Sequence, residues 1–198
     1  MQKGSGQLQA KSGLVLSCNK KFNFRNLKTY ISLLIRLGNK SNWSHTARTI
    51  LIYDILFVID SDLGLGRNGI AITPWEEWRK NKHDLFVYDP FALSIGDPFK
   101  AEVILDQDKK ALAQCGVATY DLNSFGYQIK KAITGHWQGE TNEVRASSQF
   151  YCSEFIAWIY GVNKWYLMTP DNLVTKRKSI FPFSQDLYEG PASQLEFI

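Results

Sequence analysis

Cys152 stands in Phe150-Tyr151-Cys152-Ser153-Glu154-Phe155, at the head of a stretch in which Phe155, Ile156, Ile159 and Tyr160 recur at helical spacing. A helix N-terminus carries partial positive charge and free N–H groups. Both stabilise a thiolate, and the same N–H groups can hold an oxyanion. The chemistry available there is attack by sulfur on an acyl carbon. Such a nucleophile needs a base, and the base needs a polar group to fix its tautomer and orientation. His45, in Trp43-Ser44-His45-Thr46, enters an apolar stretch and is the candidate base. Asp60 closes the next apolar stretch and is the candidate orienting group, with Asp62 as the fallback. If the two stretches are paired strands, about 4.8 Å apart, a carboxylate on one reaches an imidazole on the other.

The remaining reactive residues read as structural. Cys18 and Cys115 fit buried small hydrophobes. Three cysteines at irregular spacing, with no Cys-x-x-Cys pair, form neither a disulfide framework nor a zinc site. His83 and His136 sit in polar surroundings without a metal-ligand partner at i+3 or i+4. Gly64-Leu65-Gly66-Arg67-Asn68-Gly69 matches the dinucleotide-binding spacing, but it leads into Ile70-Ala71-Ile72 and Pro74 rather than a helix, so a phosphate would find no helix dipole. The expectation is a glycine-bearing turn. Asn42-Trp43-Ser44 is a chance glycosylation match, and Lys176-Arg177-Lys178 is expected to be a solvated loop.

The elements that must position these residues follow from periodicity and breakers. Residues 1–13 are expected to be a loose lead-in, Leu14-Val15-Leu16 a short strand, and Phe24 to Leu37 a helix closed by Gly38. Thr46 to Ile59 is expected to form two strands around a Tyr53-Asp54 turn. Thr73-Pro74-Trp75-Glu76 reads as a helix start with Thr73 as N-cap. Leu85 to Tyr88 is a strand closed by Asp89-Pro90, and Ala101 to Leu105 fits helix or strand. A helix stalling at Gly116, another helix or a long turn within Tyr120 to Ile133 and a loop over Gly135 to Ser148 precede a helix over Gln149 to Tyr160. Residues 163–198 read as loop around Thr169-Pro170-Asp171. The expected class is α+β in a single domain spanning 1–198.

Composition narrows the field. The 198 residues are 44% hydrophobic, 21% charged and 14% aromatic, which excludes disordered, collagenous and coiled-coil classes. A net charge of +4 whose only dense basic run is Lys176-Arg177-Lys178 argues against a nucleic-acid partner. The longest apolar run, Ile50 to Ile59, is broken by Asp54 and too short to cross a bilayer, so no stable membrane insertion is expected. The polar N-terminus has no signal-peptide core, and a cytoplasmic location is expected, or carriage on a phage particle or release by lysis.

Trp43-Ser44-His45, Val58-Ile59-Asp60, Gly69-Ile70, Thr73-Pro74-Trp75 and Tyr151-Cys152-Ser153-Glu154, in that order, resemble the circularly permuted papain-fold cysteine peptidases and amidases, the NlpC-like, YiiX-type group. The permutation puts histidine before cysteine. The resemblance runs from about His45 to Tyr160. Tyr120-Asp121 and Thr169 to Leu173 also match its recurring positions. Two features depart from the group: Lys11-Ser12-Gly13-Leu14 replaces its usual Gly-Asp turn, and Asp60 stands where Glu is frequent. The resemblance implies an antiparallel sheet or barrel packed against helices. It implies Cys152 as nucleophile, His45 as base and Asp60 as orienter, with Tyr151, Trp43 and Ser44 lining the substrate site. It implies no cofactor and no metal. The expected activity is hydrolysis of an amide bond in a peptide, amidated amino acid or lipid-linked substrate. Lipid acyl transfer or thioester cleavage through the same Cys-His pair, and a catalytically silent binding module, are the alternatives.

Overall fold

The computed structural model describes residues 6–20, 42–64, 67–92, 98–121 and 149–198, with isolated positions at 33, 36, 126, 127, 130 and 134. Its centre is an open antiparallel sheet. Its strands are β2 (Val15–Lys20), β3 (His45–Ile52), β4 (Ile55–Gly64), β5 (Arg67–Pro74), β6 (Lys82–Asp89) and β9 (Gln185–Pro191). The spatial order is β5-β4-β3-β2-β6-β9, so β5 and β9 are edges and the described residues form no closed barrel. β3 and β4 turn at Tyr53 and Asp54, both at positive φ (49° and 61°), the backbone a two-residue hairpin of matching twist requires. Two short parallel pairs flank the sheet: β1 (Gly6–Leu8) with β10 (Leu195–Phe197), and β7 (Thr119–Tyr120) with β8 (Gln149–Phe150).

Apolar layers cover both faces. Helix α3 (Cys152–Ile159) and helix α4 (Pro170–Thr175) bury Phe155, Ile156, Ile159 and Leu173 against Val15, Ile59, Phe86 and Tyr88. On the other face helix α1 (Trp75–Trp78) and the C-terminal strands bury Trp75, Trp78, Tyr188 and Leu195 against Leu14, Leu16, Val58, Leu85 and Val87. Helix α2 (Pro98–Leu112) is fastened by charge. The fully buried Arg48 of β3 pairs with Asp108, donates to Tyr160 Oη at 3.2 Å, and is covered by the Tyr160 ring.

Several elements differ from the sequence reading. The lead-in contains β1, because Gly6 to Leu8 finds a backbone partner at the far end of the chain. The Pro-marked C-terminal segment is not a loop. It folds as α4, α5 (Arg177–Ile180) and β9, which pairs with β6, a long-range contact that no local periodicity announces. Arg177 is not solvated as expected: it pairs with Asp186 (Nε to Oδ1, 2.6 Å) over the Phe86 ring. Thr73 remains in β5 opposite Val58, so the cap of α1 is Pro74. Gln149-Phe150 is a strand, and the helix starts at Cys152. His83 is exposed as expected but lies in β6. The helix expected over Phe24–Leu37, except helical Leu33 and Arg36, most of that expected within Tyr120–Ile133, and the loop over Gly135–Ser148 with His136 lie outside the described residues.

Of the glycine run, Gly64 ends β4 and Arg67 to Gly69 begin β5, so its described residues are strand. Gly69 (φ +119°) is a packing position: a Cβ there would sit 2.0 Å from the Ala118 carbonyl oxygen. Gly69→Ala is therefore expected to destabilise the fold by about 2 kcal/mol or more, read as a lower urea midpoint. Asp108→Asn leaves the buried guanidinium without its counter-charge and is expected to cost about 3 kcal/mol in the same measurement.

Candidate active site

His45 is the first residue of β3 and Asp60 lies midway along β4. The last β3–β4 pair towards this end is Arg48↔Ile59. Beyond it the two strands part, and the His45 and Asp60 side chains bridge the gap, with Nε2 of the imidazole 2.7 Å from Oδ2 of the carboxylate. Both residues are buried. The same Oδ2 accepts a second hydrogen bond, from the Trp78 indole Nε1–H at 2.7 Å. Because Asp60 holds Nε2, the tautomer that donates to the carboxylate leaves Nδ1 as the basic nitrogen.

Burial is the largest influence on the imidazole and lowers its pKa below the ordinary 6.5. The bond to Asp60 opposes that, and the positive charge of Lys82 reinforces it. Burial pushes the Asp60 carboxyl up, but the hydrogen bond and charge of His45 outweigh it and hold it below the ordinary carboxylate range. The resting pair is a neutral imidazole donating to a carboxylate.

Cys152 occupies the first turn of α3 and is buried, with Tyr151 as N-cap residue. The Tyr151 N–H donates to Glu154 Oε2 at 3.0 Å, closing the helix start. Ser153 Oγ donates to the Met168 carbonyl at 2.6 Å. Tyr120 and Tyr151 pack edge to face with ring centres 5.9 Å apart, and these rings enclose Cys152. Burial pushes both phenols well above their ordinary range, and a charge on Cys152 pushes them the same way, so they stay protonated donors beside the thiol.

Contacts at the two ends of α3 fix its direction over the sheet. At its C-terminal side Tyr160 Oη meets Arg48 and the Gly13 carbonyl. At its N-terminal side the Phe150 carbonyl accepts from Ser61 Oγ at 2.6 Å, and Ser61 is the neighbour of Asp60. Cys152 is thereby carried to the end of the sheet that holds His45 and Asp60. The alternation of β4 puts Asp60 on the face of Val58 and Trp78, whereas the apolar residues of α3 cover the face of Ile59. Any meeting of thiol and imidazole therefore takes place at the parted end of β3 and β4, not across a flat face.

The other named residues fall outside an open cleft. Trp43 is buried against Phe86, with ring centres 6.0 Å apart, and the Ser44 N–H donates to the Cys18 carbonyl at 3.0 Å. They hold the entry to β3 in place. Cys18 is fully buried. Cys115 is half-buried, and burial followed by the Asp60 charge pushes its thiol up to about 11. Two residues escaped the sequence reading: Trp78 and Lys82. The Lys82 ammonium lies 4.3 Å from the centre of a Trp78 ring. Their i, i+4 spacing after the Pro74-Trp75 helix start was the available signal.

An open antiparallel sheet covered by helices defines an α+β protein, and the parted end of β3 and β4 carries a buried histidine–carboxylate pair. Among solved structures the chain is similar to metalloprotein YiiX from Escherichia coli O157:H7, with a TM-score of 0.52 at 14% identity, over 96% of this chain and 100% of that one. No family model and no curated protein matches the chain. Among the described residues no three His, Cys, Asp or Glu side chains come together as a metal would require. Among the described residues no helix is long and apolar enough to cross a membrane.

A lowered imidazole pKa means that the unfolded chain binds its proton first as pH falls. The His45 contribution to stability is complete above 6.5 and is lost as pH falls below that value towards the folded midpoint. His45→Gln, which keeps a donor for Asp60, is expected to lose less stability than the parent between pH 7.5 and 5 in urea titrations.

Proposed function

We propose that the chain is a thiol hydrolase of the permuted papain-fold type, cleaving amide bonds through Cys152, His45 and Asp60. The observation that carries this reading is the buried His45–Asp60 hydrogen bond with Nδ1 left basic, at the same end of the sheet as a cysteine that opens a helix. In the reaction, His45 takes the Cys152 proton and the sulfur attacks the substrate carbonyl. N–H groups at the start of α3 bind the oxyanion, with the Tyr151 phenol as a further donor. The imidazolium then protonates the departing amine, leaving a thioester on Cys152. Water, deprotonated by His45, releases the acid and restores the thiol. No cofactor enters these steps.

One observation favours a second reading, acyl transfer or thioester cleavage on a lipid-like substrate. A cavity of about 440 Å³ lies beside α3, lined in part by Phe91, Tyr160, Val162, Met168, Ile180 and Phe181, and Met168 is bonded through its carbonyl to the neighbour of Cys152. Peptide-amide and acyl-thioester probes compared by mass spectrometry distinguish the two: a Cys152 adduct formed only from the lipid-like probe selects acyl transfer.

Iodoacetamide near neutral pH is expected to label Cys152, activated by His45 at a helix start, faster than Cys18 and faster than Cys115, whose thiol is held protonated. Cys152→Ala and His45→Ala are each expected to lower amide hydrolysis at least about a thousand-fold. Equal labelling of all three thiols, with hydrolysis unchanged in both variants, selects a binding module instead.

A further inference from the structure

Lysine is almost never fully buried unless paired, because removing an ammonium from water costs several kcal/mol. Lys82 has a relative exposure of 4%, and among the described residues no carboxylate lies within ion-pair distance of it. Its side chain instead rests on the Trp78 ring at 4.3 Å, a cation–π contact. The local chain explains the placement. Trp78 ends α1, a single 3-10 turn spans Arg79–Asn81, and Lys82 opens β6, so the two side chains are one helical turn apart on the same side. The indole that carries the cation on its face donates its N–H, at its edge, to the Asp60 Oδ2 that also holds His45. A buried positive charge, an aromatic ring, a carboxylate and an imidazole thus form one contiguous series.

We propose that Lys82 is a positioning residue of this site: seated on Trp78, it supplies a buried positive charge that reinforces the ionised state of Asp60 and the unprotonated state of the His45 base. The inference rests on the reading of His45 as a base. The carboxylate favours a proton on the imidazole, which would then be unable to accept the thiol proton; burial opposes this most strongly, and the Lys82 charge adds to that opposition. The charged groups that act on the imidazole come from two strands: Asp60 and Asp62 on β4, which favour its protonation, and Lys82 on β6, which opposes it. Cys18 faces it from β2 as its strand partner, and Cys152 and Glu154 belong to the helix end nearby. Lys82 is the cation of this set. Its role also accounts for a buried charge to which the described residues offer no ion-pair partner.

The test is an NMR titration of the imidazoles in the full chain, with the His45 signal assigned by its loss in His45→Gln. Lys82→Met and Lys82→Gln are expected to shift the His45 midpoint upward, and Lys82→Arg to return it towards the parent value. In the same samples the onset of Cys152 alkylation with pH is expected to follow the His45 midpoint. An unchanged midpoint in folded Lys82→Met or Lys82→Gln overturns the proposal, as does a Lys82→Arg variant that behaves like Lys82→Met. The two readings fail separately. An inert Cys152 in the parent with the His45 shift intact removes the hydrolase reading alone. Rapid Cys152 alkylation with no shift in any variant removes the role of Lys82 alone.

Discussion

Asp60 Oδ2 is one buried oxygen that accepts two short hydrogen bonds, one from an imidazole on the neighbouring strand and one from an indole at the end of a helix. A buried carboxylate is costly unless its lone pairs are filled, so this atom dictates the placement of three elements together. β3 must part from β4 where it does to admit the ring. α1 must follow β5 immediately, so that Trp78 folds back over the sheet. The turn into β6 must be short, so that Lys82 arrives above the indole. The apolar layers on each face supply the bulk of the stabilisation, but they do not specify these geometries. The polar series does, and each of its members is buried.

The strongest local signals in the sequence are the ones the structure reproduces. The hairpin around Tyr53-Asp54 and the strand through Leu85–Tyr88 carry short apolar runs bounded by turn residues. The pairing of His45 with Asp60 was legible because adjacent antiparallel strands bring such residues within reach. What was not legible depends on contacts distant in sequence. β9 has a weak pattern and is a strand because β6 offers it an edge. β1 is a strand because β10 does the same. Arg177 looked solvated because nothing nearby in sequence announces Asp186 or the Phe86 ring. Trp78 and Lys82 read as ordinary members of a short helix and a turn, since the role of an indole N–H emerges only when its acceptor is known.

Within the candidate site the structure supplies the settings that residue types alone do not. Trp43 and Ser44 were read as substrate contacts from their place beside His45, yet strand alternation turns the indole into the core and backbone pairing occupies the serine. Tyr151 is different: its position before a helix that starts at Cys152 leaves its phenol beside the sulfur. Two thiols identical in type, Cys115 and Cys152, are separated by environment alone, one at a turn in an apolar setting and the other in the first turn of a helix.

The parallel pairing of β1 with β10 joins segments near the two ends of the chain through Gly6↔Leu195, Gln7↔Glu196 and Leu8↔Phe197. Tension applied between those ends would load these pairs side by side, in shear, rather than peel them one at a time. The pair therefore works as a mechanical clasp. An unfoldase or translocation pore that grips one end must break this short ladder as a unit before the force reaches the sheet that carries His45 and Asp60.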